Sequence, residues 1–362
     1  MTAALLASPV NTRPTLRIDG RRHEAVDELL QAMTVREALG GLSSLEITFR
    51  DFVSQPGAAP AFAFGDSRIL KFGADIKAYA GDIAAPQEIF RGRISALECE
   101  ADDAGAPLFT ALAEDRLQSA HKTRRSRTFD NASPADIVRK IAADHNLTPV
   151  IGAGLDQPKT TFVQMNQSDL AFLRWLLARF DADAQVVGDE LQASGRARNP
   201  RGEVELRLHD NLLSVRIVAD LAGQTPETRS AGWDPASGSA VDGKATGGEL
   251  GPGGGRTSAS LVEQALGAGP REAIGHLGAM KQGEADLIAR AAFSRRARRF
   301  LRASGRCAGN AALRVGATVK LKGVNPQFEG AYCVTAATHR YDQRTGYITE
   351  FAAESAFFGG GG

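Results

Sequence analysis

The segment Leu45-Glu46-Ile47-Thr48-Phe49-Arg50 alternates apolar and polar residues with period two. That pattern suits a strand with one buried face and excludes an amphipathic helix. Ile76-Lys77-Ala78-Tyr79, between Gly73 and Gly81, is a shorter strand candidate. Ile89-Phe90-Arg91-Gly92-Arg93-Ile94 is a third, in which Gly92 marks a bulge or a close backbone approach. One short helix or turn is expected around Val26–Met33. Strands separated by Gly and Pro turns make a barrel or sandwich of the first hundred or so residues.

The character then changes. Ser133-Pro134-Ala135-Asp136 is a helix start: Ser caps, Pro suits the first helical position, and the acid sits in the positive first turn. Ile137, Val138, Ile141 and Ala142 follow one face, and the helix ends near Asn146. A second helix begins at Ser168-Asp169, with Leu170, Leu173, Leu177 and Phe180 at helical spacing and with Trp175 and Leu176 widening the buried side. Its Leu, Phe172 and Trp175 content is explained by core packing without a cofactor. Gln185-Val186-Val187 and Glu190-Leu191-Gln192 form a hairpin around Gly188-Asp189.

Strand character returns at Glu203–Leu208 and at Leu212–Val218, where Leu213, Val215, Ile217 and Ala219 alternate with their neighbours. Thr225–Ser260, rich in Gly, Ser, Thr and Asp, reads as a mobile loop, because Gly251-Pro252-Gly253-Gly254-Gly255 cannot build a packed element. A helix is expected over Gly283–Ala303. Strands follow at Thr318–Leu321, Gly330–His339 and Tyr347–Ala353. No period of 20–50 residues recurs, although the two strand-rich regions could be structural duplicates that the sequence hides.

The chain's 362 residues suffice for two or three domains, and 43% hydrophobic against 23% charged residues is an ordinary globular balance. Lys and Arg number 43 against 42 Asp and Glu, which rules out a global polycation built for nucleic acid. Cys99, Cys307 and Cys333 are odd in number and far apart, so neither a disulfide framework nor a zinc knuckle is indicated, and folding in a reducing cytoplasm fits. Met1–Ala7 lacks the basic region of a signal peptide, and no apolar run approaches a membrane span.

These elements carry a distributed resemblance. Ile89–Ile94, Asp115-Arg116-Leu117, Ser126-Arg127-Thr128-Phe129 with Asp136-Ile137-Val138, and Gln167–Leu173 resemble successive segments of the late-control D family of phage tail proteins. Asp210-Asn211-Leu212 with Gly232-Trp233-Asp234 continues the order. Leu313–Val319, Phe328–Val334, His339 and Gly346–Phe351 complete it. The same family forms the hub portion of the VgrG and Pvc8 proteins. The resemblance implies a gp27-like baseplate hub of a contractile tail or injection system: mainly β within an α+β class, with two tube-protein-like β-barrels and an inserted α/β module. The expected division is 1–115 for the first barrel, 116–200 for the module, 201–358 for the second barrel with loop 225–260 and helix 283–303, and 359–362 for a flexible tail.

The resemblance further implies a homotrimer whose pseudo-sixfold ring adapts a hexameric tail tube to a trimeric spike, in the company of other baseplate components. Unlike VgrG, the sequence stops in Gly359–Gly362 without an OB-fold or β-helical spike, so the spike is expected to be a separate protein. The implied location is cytoplasmic synthesis followed by incorporation into a baseplate. No catalytic, cofactor-binding or metal residue is assigned, no cofactor is expected, and neither is a specific nucleic acid.

The alternative reading is a tail-associated cell-wall hydrolase. It needs paired carboxylates or a metal triad, whereas Glu98 and Glu100 sit at spacing two on what reads as a solvated strand face. Neither a GxSxG elbow nor an HExxH helix occurs. Gly251–Ser258 lacks the Lys of a phosphate loop. His339 matches the family's strand-ending His and is expected to have a structural hydrogen-bonding role. Two basic runs, His121–Arg127 and Arg290–Arg302, read as solvated or inter-subunit faces, with Arg295, Arg298, Arg299 and Arg302 sharing one helical side. Those arginines could line a channel and touch an acidic cargo or a tape-measure protein. A stand-alone binding module is the third option.

Overall fold

The computed structural model describes residues 13–53, 61–81, 85–103, 105–198, 201–267 and 271–359. The expectations for Met1–Ala7 and for the last three glycines lie outside them.

The first lobe comprises β1 (Thr15–Ile18), α1 (Glu24–Leu29), β2 (Leu30–Ala38), β3 (Ser44–Arg50), β4 (Asp75–Ala80), β5 (Gln87–Glu100) and β6 (Leu108–Asp115). A middle module follows: α2 (Gln118–Lys122), β7 (Arg124–Ala132), α3 (Pro134–Asp144), β8 (Thr148–Ile151), β9 (Thr160–Ser168), α4 (Asp169–Arg179), β10 (Ala182–Val187) and β11 (Glu190–Gly195). The second lobe begins with β12 (Glu203–Arg207) and β13 (Leu212–Ala219). An insertion then intervenes: β14 (Glu227–Asp234), β15 (Ser239–Ala245), β16 (Arg256–Thr257), α5 (Ser258–Leu266), β17 (Arg271–Ala279) and α6 (Gln282–Arg298). The lobe closes with β18 (Leu301–Ala308), β19 (Thr318–Lys322), β20 (Gly330–Asp342) and β21 (Gly346–Ser355), and β22 (Phe357–Phe358) pairs with β16. The protein is mainly β, as its alternating segments require.

One 12-stranded sheet runs through both lobes. The first contributes the order β1-β4-β5-β6-β3-β2, and the second β12-β19-β20-β21-β18-β13. Replacing each strand of the first lobe by the strand at the same sequential place in the second converts one order into the other. The repetition extends to register. Ser44 opposes Glu114 as Arg302 opposes Glu354, and Asp75 opposes Arg93 as Thr318 opposes Cys333. Bulges fall at matching places, between Ile94 and Ala96 and between Val334 and Ala336. A second pair lies between Leu30 and Ala32 and between Leu212 and Ser214. Even the loop contacts repeat: Gly73 N–H donates to Ile94 O at 2.8 Å, and Gly316 N–H donates to Val334 O at 2.8 Å. The lobes are therefore structural duplicates. They differ in their outermost pair, since β1 meets β4 antiparallel and β12 meets β19 parallel.

Each lobe curls around its own core. Leu16, Met33, Val35, Ile47, Phe49 and Ile76 are buried in the first, and Leu206, Leu301, Leu313, Val319, Tyr332 and Val334 are all within the second core or against it. The module has a third core, in which the capping box of Ser133 and Asp136 starts α3.

Several expectations need correction. Residues 225–260 are not a structureless loop: β14 and β15 form a hairpin, β17 adds in parallel, and α6 packs across them. The glycines there are points of backbone approach. A Cβ on Gly232 would overlap Ala279 O, one on Gly243 the Ala285 carbonyl, and one on Gly248 the Ser294 hydroxyl. Helix α6 ends at Arg298 rather than Ala303, because burial alternates with period two from Leu301 onward as β18 enters the sheet. Leu213 is 54% exposed while Leu212 is buried, because the bulge between Leu212 and Ser214 resets the alternation. Trp175 is 41% exposed, beneath Arg179, rather than widening the buried side of α4. Val26–Met33 divides between α1 and β2.

Gly92 fulfils its expected role, since a Cβ there would overlap Glu114 O and crowd the Phe90 ring. Gly92→Ala should therefore destabilise the chain by about 2 kcal/mol or more, whereas Gly195→Ala, with open space around it, should stay within about 0.5 kcal/mol. Urea denaturation measures both.

Candidate functional site at the junction of the lobes

The lobes meet where β2 pairs antiparallel with β20, from Ala32 opposite Asp342 to Ala38 opposite Ala336. Leu39 N–H extends the seam by donating to Thr335 O at 3.1 Å. Val35 opposes His339, and both are completely buried. Burying a side chain such as Val35 contributes roughly 1.5–3 kcal/mol. Tyr341 and Tyr347 of the second lobe, with Ala311, join the core of the first. The core of the first lobe is thus incomplete without the second.

A buried ion pair locks the seam. Glu37 on β2 accepts from Arg314 Nε at 2.8 Å and from its Nη2, and Arg314 Nη1 donates to Glu88 O at 3.2 Å. Burial alone would raise the Glu37 carboxyl, but the Arg314 guanidinium more than offsets this and holds it below the usual carboxylate range. His339 Nδ1 bonds to Tyr347 Oη at 2.8 Å and lies 3.3 Å from Thr349 Oγ1, the kind of bonding foreseen for this residue. Burial, reinforced by Arg314, pushes its pKa down to about 4. Asp115 accepts from Ser43 N at 2.5 Å and Leu117 N at 2.9 Å, and burial raises its carboxyl to about 6.

The module sits on the turn between β2 and β3. Arg174 Nη2 donates to Gly41 O at 2.8 Å, Gly40 N–H donates to Asp183 at 2.7 Å, and Gln185 donates to Ala38 O at 2.9 Å. Gly41, at φ 68°, has no room for a side chain, because a Cβ would meet Leu117 at 2.8 Å and Ala184 O at 2.9 Å.

A second buried network ties module, insertion and second lobe together. Arg298, fully buried at the end of α6, reaches Asp181 through Nη2, Glu354 Oε1 at 3.3 Å and Glu249 O at 3.0 Å. Arg196 bonds the same Glu354 oxygen at 2.7 Å. Burial disfavours the Arg298 charge, but Asp181 and Glu354 outweigh it and keep the guanidinium firmly protonated. Arg179 of α4 pairs with Glu284 of α6 at 2.8 Å.

These contacts revise the reading of the basic runs. Arg298 is interior, Arg295 donates to Ala178 O at 3.0 Å, and Arg302 lies on β18 rather than on a shared helical face. The run His121–Arg127 is likewise not a purely solvated face, since Arg127 binds Asp144 at 2.7 Å and Asp169 at 2.8 Å within the module. Glu98 and Glu100 are exposed on β5. Among the described residues no group of His, Cys, Asp and Glu could hold a metal ion, and no helix is long and apolar enough to cross a membrane. The buried acids at the junction escaped notice in the sequence because an isolated Glu37, Asp181 or Glu354 carries no local signal of its partner.

The architecture defines a class, the fold of phage and injection-system tail proteins. The prophage MuSo2 43 kDa tail protein from Shewanella oneidensis matches with a TM-score of 0.65 and 11% identity, covering 94% of this chain and 97% of that one. The tail protein of Neisseria meningitidis MC58 matches with a TM-score of 0.68 and 9% identity, covering 94% and 96%. The E. coli c3393 protein, a type VI secretion system component with structural similarity to the T4 tail proteins gp27 and gp5, matches with a TM-score of 0.61 and 14% identity, covering 94% and 76%. No curated protein matches. Residues 12–343 match the family described as the Alg8 N-terminal domain, and the chain belongs to that family.

Removing one partner from a buried ion network strands the others. Arg298→Met should cost about 3–5 kcal/mol in urea denaturation, with much of that recovered when Asp181→Asn and Glu354→Gln are added. His339 generates a pH prediction. Its folded pKa of about 4 lies below the ordinary 6.5, so its contribution is complete above pH 6.5 and is lost as pH falls toward 4. Between pH 7.5 and pH 5 the loss should be about 2 kcal/mol, absent in His339→Gln. Asp115 works in the opposite direction, so the difference between variant and parent is the quantity to measure.

Proposed function

We propose that the chain is a structural baseplate hub of a contractile tail or injection particle, akin to the late-control D proteins and the hub portion of VgrG. In this reading three copies form a pseudo-sixfold ring that adapts a hexameric tail tube to a trimeric spike. The observation that carries it is the duplication: each chain holds the same six-stranded lobe twice, matched in strand order, register and bulges. Three such chains present six nearly equivalent lobes to a sixfold tube, yet keep true threefold symmetry for a spike. Likeness of fold to tail proteins over 94% of the chain supports the same assignment.

The function is then mechanical. The domains are proposed as 1–115, 116–200 and 201–358, with the middle module held on the first lobe by hydrogen bonds to the β2–β3 turn and on the second by the buried ion pairs. Tube protein, spike and other baseplate components are the proposed partners, and no catalytic residue, cofactor or specific nucleic acid enters the reading. The hydrolase alternative finds no favouring observation, because the buried acids are held by arginines or backbone amides rather than facing one another across a cleft.

Particles carrying a tagged copy of the chain, imaged by electron microscopy, test this. Density for the tag should appear between tube and spike, and density along the sheath or on the outer fibres would overturn the assignment.

A further inference from the structure

The duplication implies a second seam that the single chain leaves open. Within the chain, β2 of the first lobe covers the free edge of β20 in the second. The counterpart of that edge is the last stretch of β5, from Ala96 to Glu100, which pairs with β6 on one side only. The counterpart of β2 is β13, which pairs with β18 on one side only. Among the described residues no strand occupies the other edge of either.

We infer that β13 of one copy adds antiparallel to the Ala96–Glu100 edge of β5 in the next copy, in the register that β2 and β20 use within a chain. This rests on the hub reading and names the surface by which the ring closes. Transferring the register sets Arg216 opposite Glu100, Ile217 opposite Cys99 and Val218 opposite Glu98. Their templates are Thr34–Arg340, Val35–His339 and Arg36–Thr338.

Two observations favour a second copy as the occupant. Val35 and His339 are fully buried in the existing seam, while Cys99 is exposed and Ile217 only partly buried. The equivalent positions are therefore covered in one seam and open in the other. The charges also match: β13 offers Arg216, flanked on β18 by Arg302 and Arg306, to an edge bearing Glu98 and Glu100. Opposite charges facing each other across antiparallel strands favour pairing and specify register. Main-chain bonding along an open edge supplies the remaining affinity. Because the interface joins unlike edges head to tail, repetition closes a ring or propagates a helix, and two lobes per chain close it at three copies on the proposed pseudo-sixfold geometry.

Native Cys99 provides the test, because Cys307 and Cys333 are buried. Cα atoms of directly paired antiparallel residues lie about 4.5–5.5 Å apart, within disulfide reach. Ile217→Cys in the full chain, mildly oxidised, should give disulfide-linked dimers and trimers on a non-reducing gel. Val218→Cys, which points to the other face, should give at least tenfold less. Glu100→Arg added to Ile217→Cys should lower the yield severalfold, and further addition of Arg216→Glu should restore it. Should Ile217→Cys perturb the fold, hydrogen exchange on the unmodified chain replaces it, with protection of 96–100 and 214–219 expected to rise with concentration. Equal crosslinking at 217 and 218, or an assembled ring with neither crosslink nor protection, overturns the seam but spares the hub. A chain that stays monomeric at every concentration, with both edges exchanging freely, also overturns the seam, while the imaging test decides the hub independently.

Discussion

The pairing of β2 with β20 is the constraint on which the molecule depends. It converts two half-open lobes into one continuous sheet, and it carries two buried polar groups, Glu37 and His339, the latter bonded across the following turn to Tyr347. Hydrogen bonds along an antiparallel pair are directional, so the seam fixes the position of one lobe relative to the other. Arg314 then clamps Glu37 and the Glu88 carbonyl together, which stops the seam from fraying at its Ala38 end. In the proposed hub, force would pass between stacked rings through this junction, whose rigidity comes from backbone pairing rather than from a hinged linker.

The buried charges follow from the same demand. Apolar packing tolerates sliding, whereas Arg298 reaching Asp181, Glu354 and the Glu249 carbonyl is satisfied in only one arrangement of module, insertion and second lobe. Such networks contribute little net stability against an apolar replacement, but breaking one partner is costly. Their value here is that they fix position. Of the arginines that read as a surface stripe in sequence, Arg298 and Arg295 are, in the fold, pins between subassemblies, while Arg299 and Arg302 stay exposed.

Much of the β architecture was legible because one-sided burial writes itself into alternation, as at Leu45–Arg50 and Glu203–Leu208. The module's helix starts were legible from Ser133 and Ser168, which cap as expected. The duplication was hidden for a physical reason: the two lobes share strand order and register rather than residue type. Ile47 opposite Ala111 in the first lobe becomes Gly305 opposite Phe351 in the second, a large–small pair exchanged for a small–large one. Gly92 corresponds to Tyr332, and Phe49 to Cys307. The β14–β15 hairpin was hidden because its glycines, read as flexibility, serve close contact with Ala279 and α6. The junction acids were invisible because their partners lie far along the chain, 56 residues apart for Glu354 and Arg298 and 277 for Glu37 and Arg314.

The proposed hub requires two equivalent lobes to be used as six places in one ring. A reconstruction of the assembled chain by electron microscopy, computed without imposed symmetry, tests this most directly. It should show three copies in which first and second lobes alternate at one radius and at near-equal angular steps, with a continuous sheet crossing every boundary. Lobes at two different radii, or a ring whose inter-copy boundaries lack sheet continuity, would contradict it.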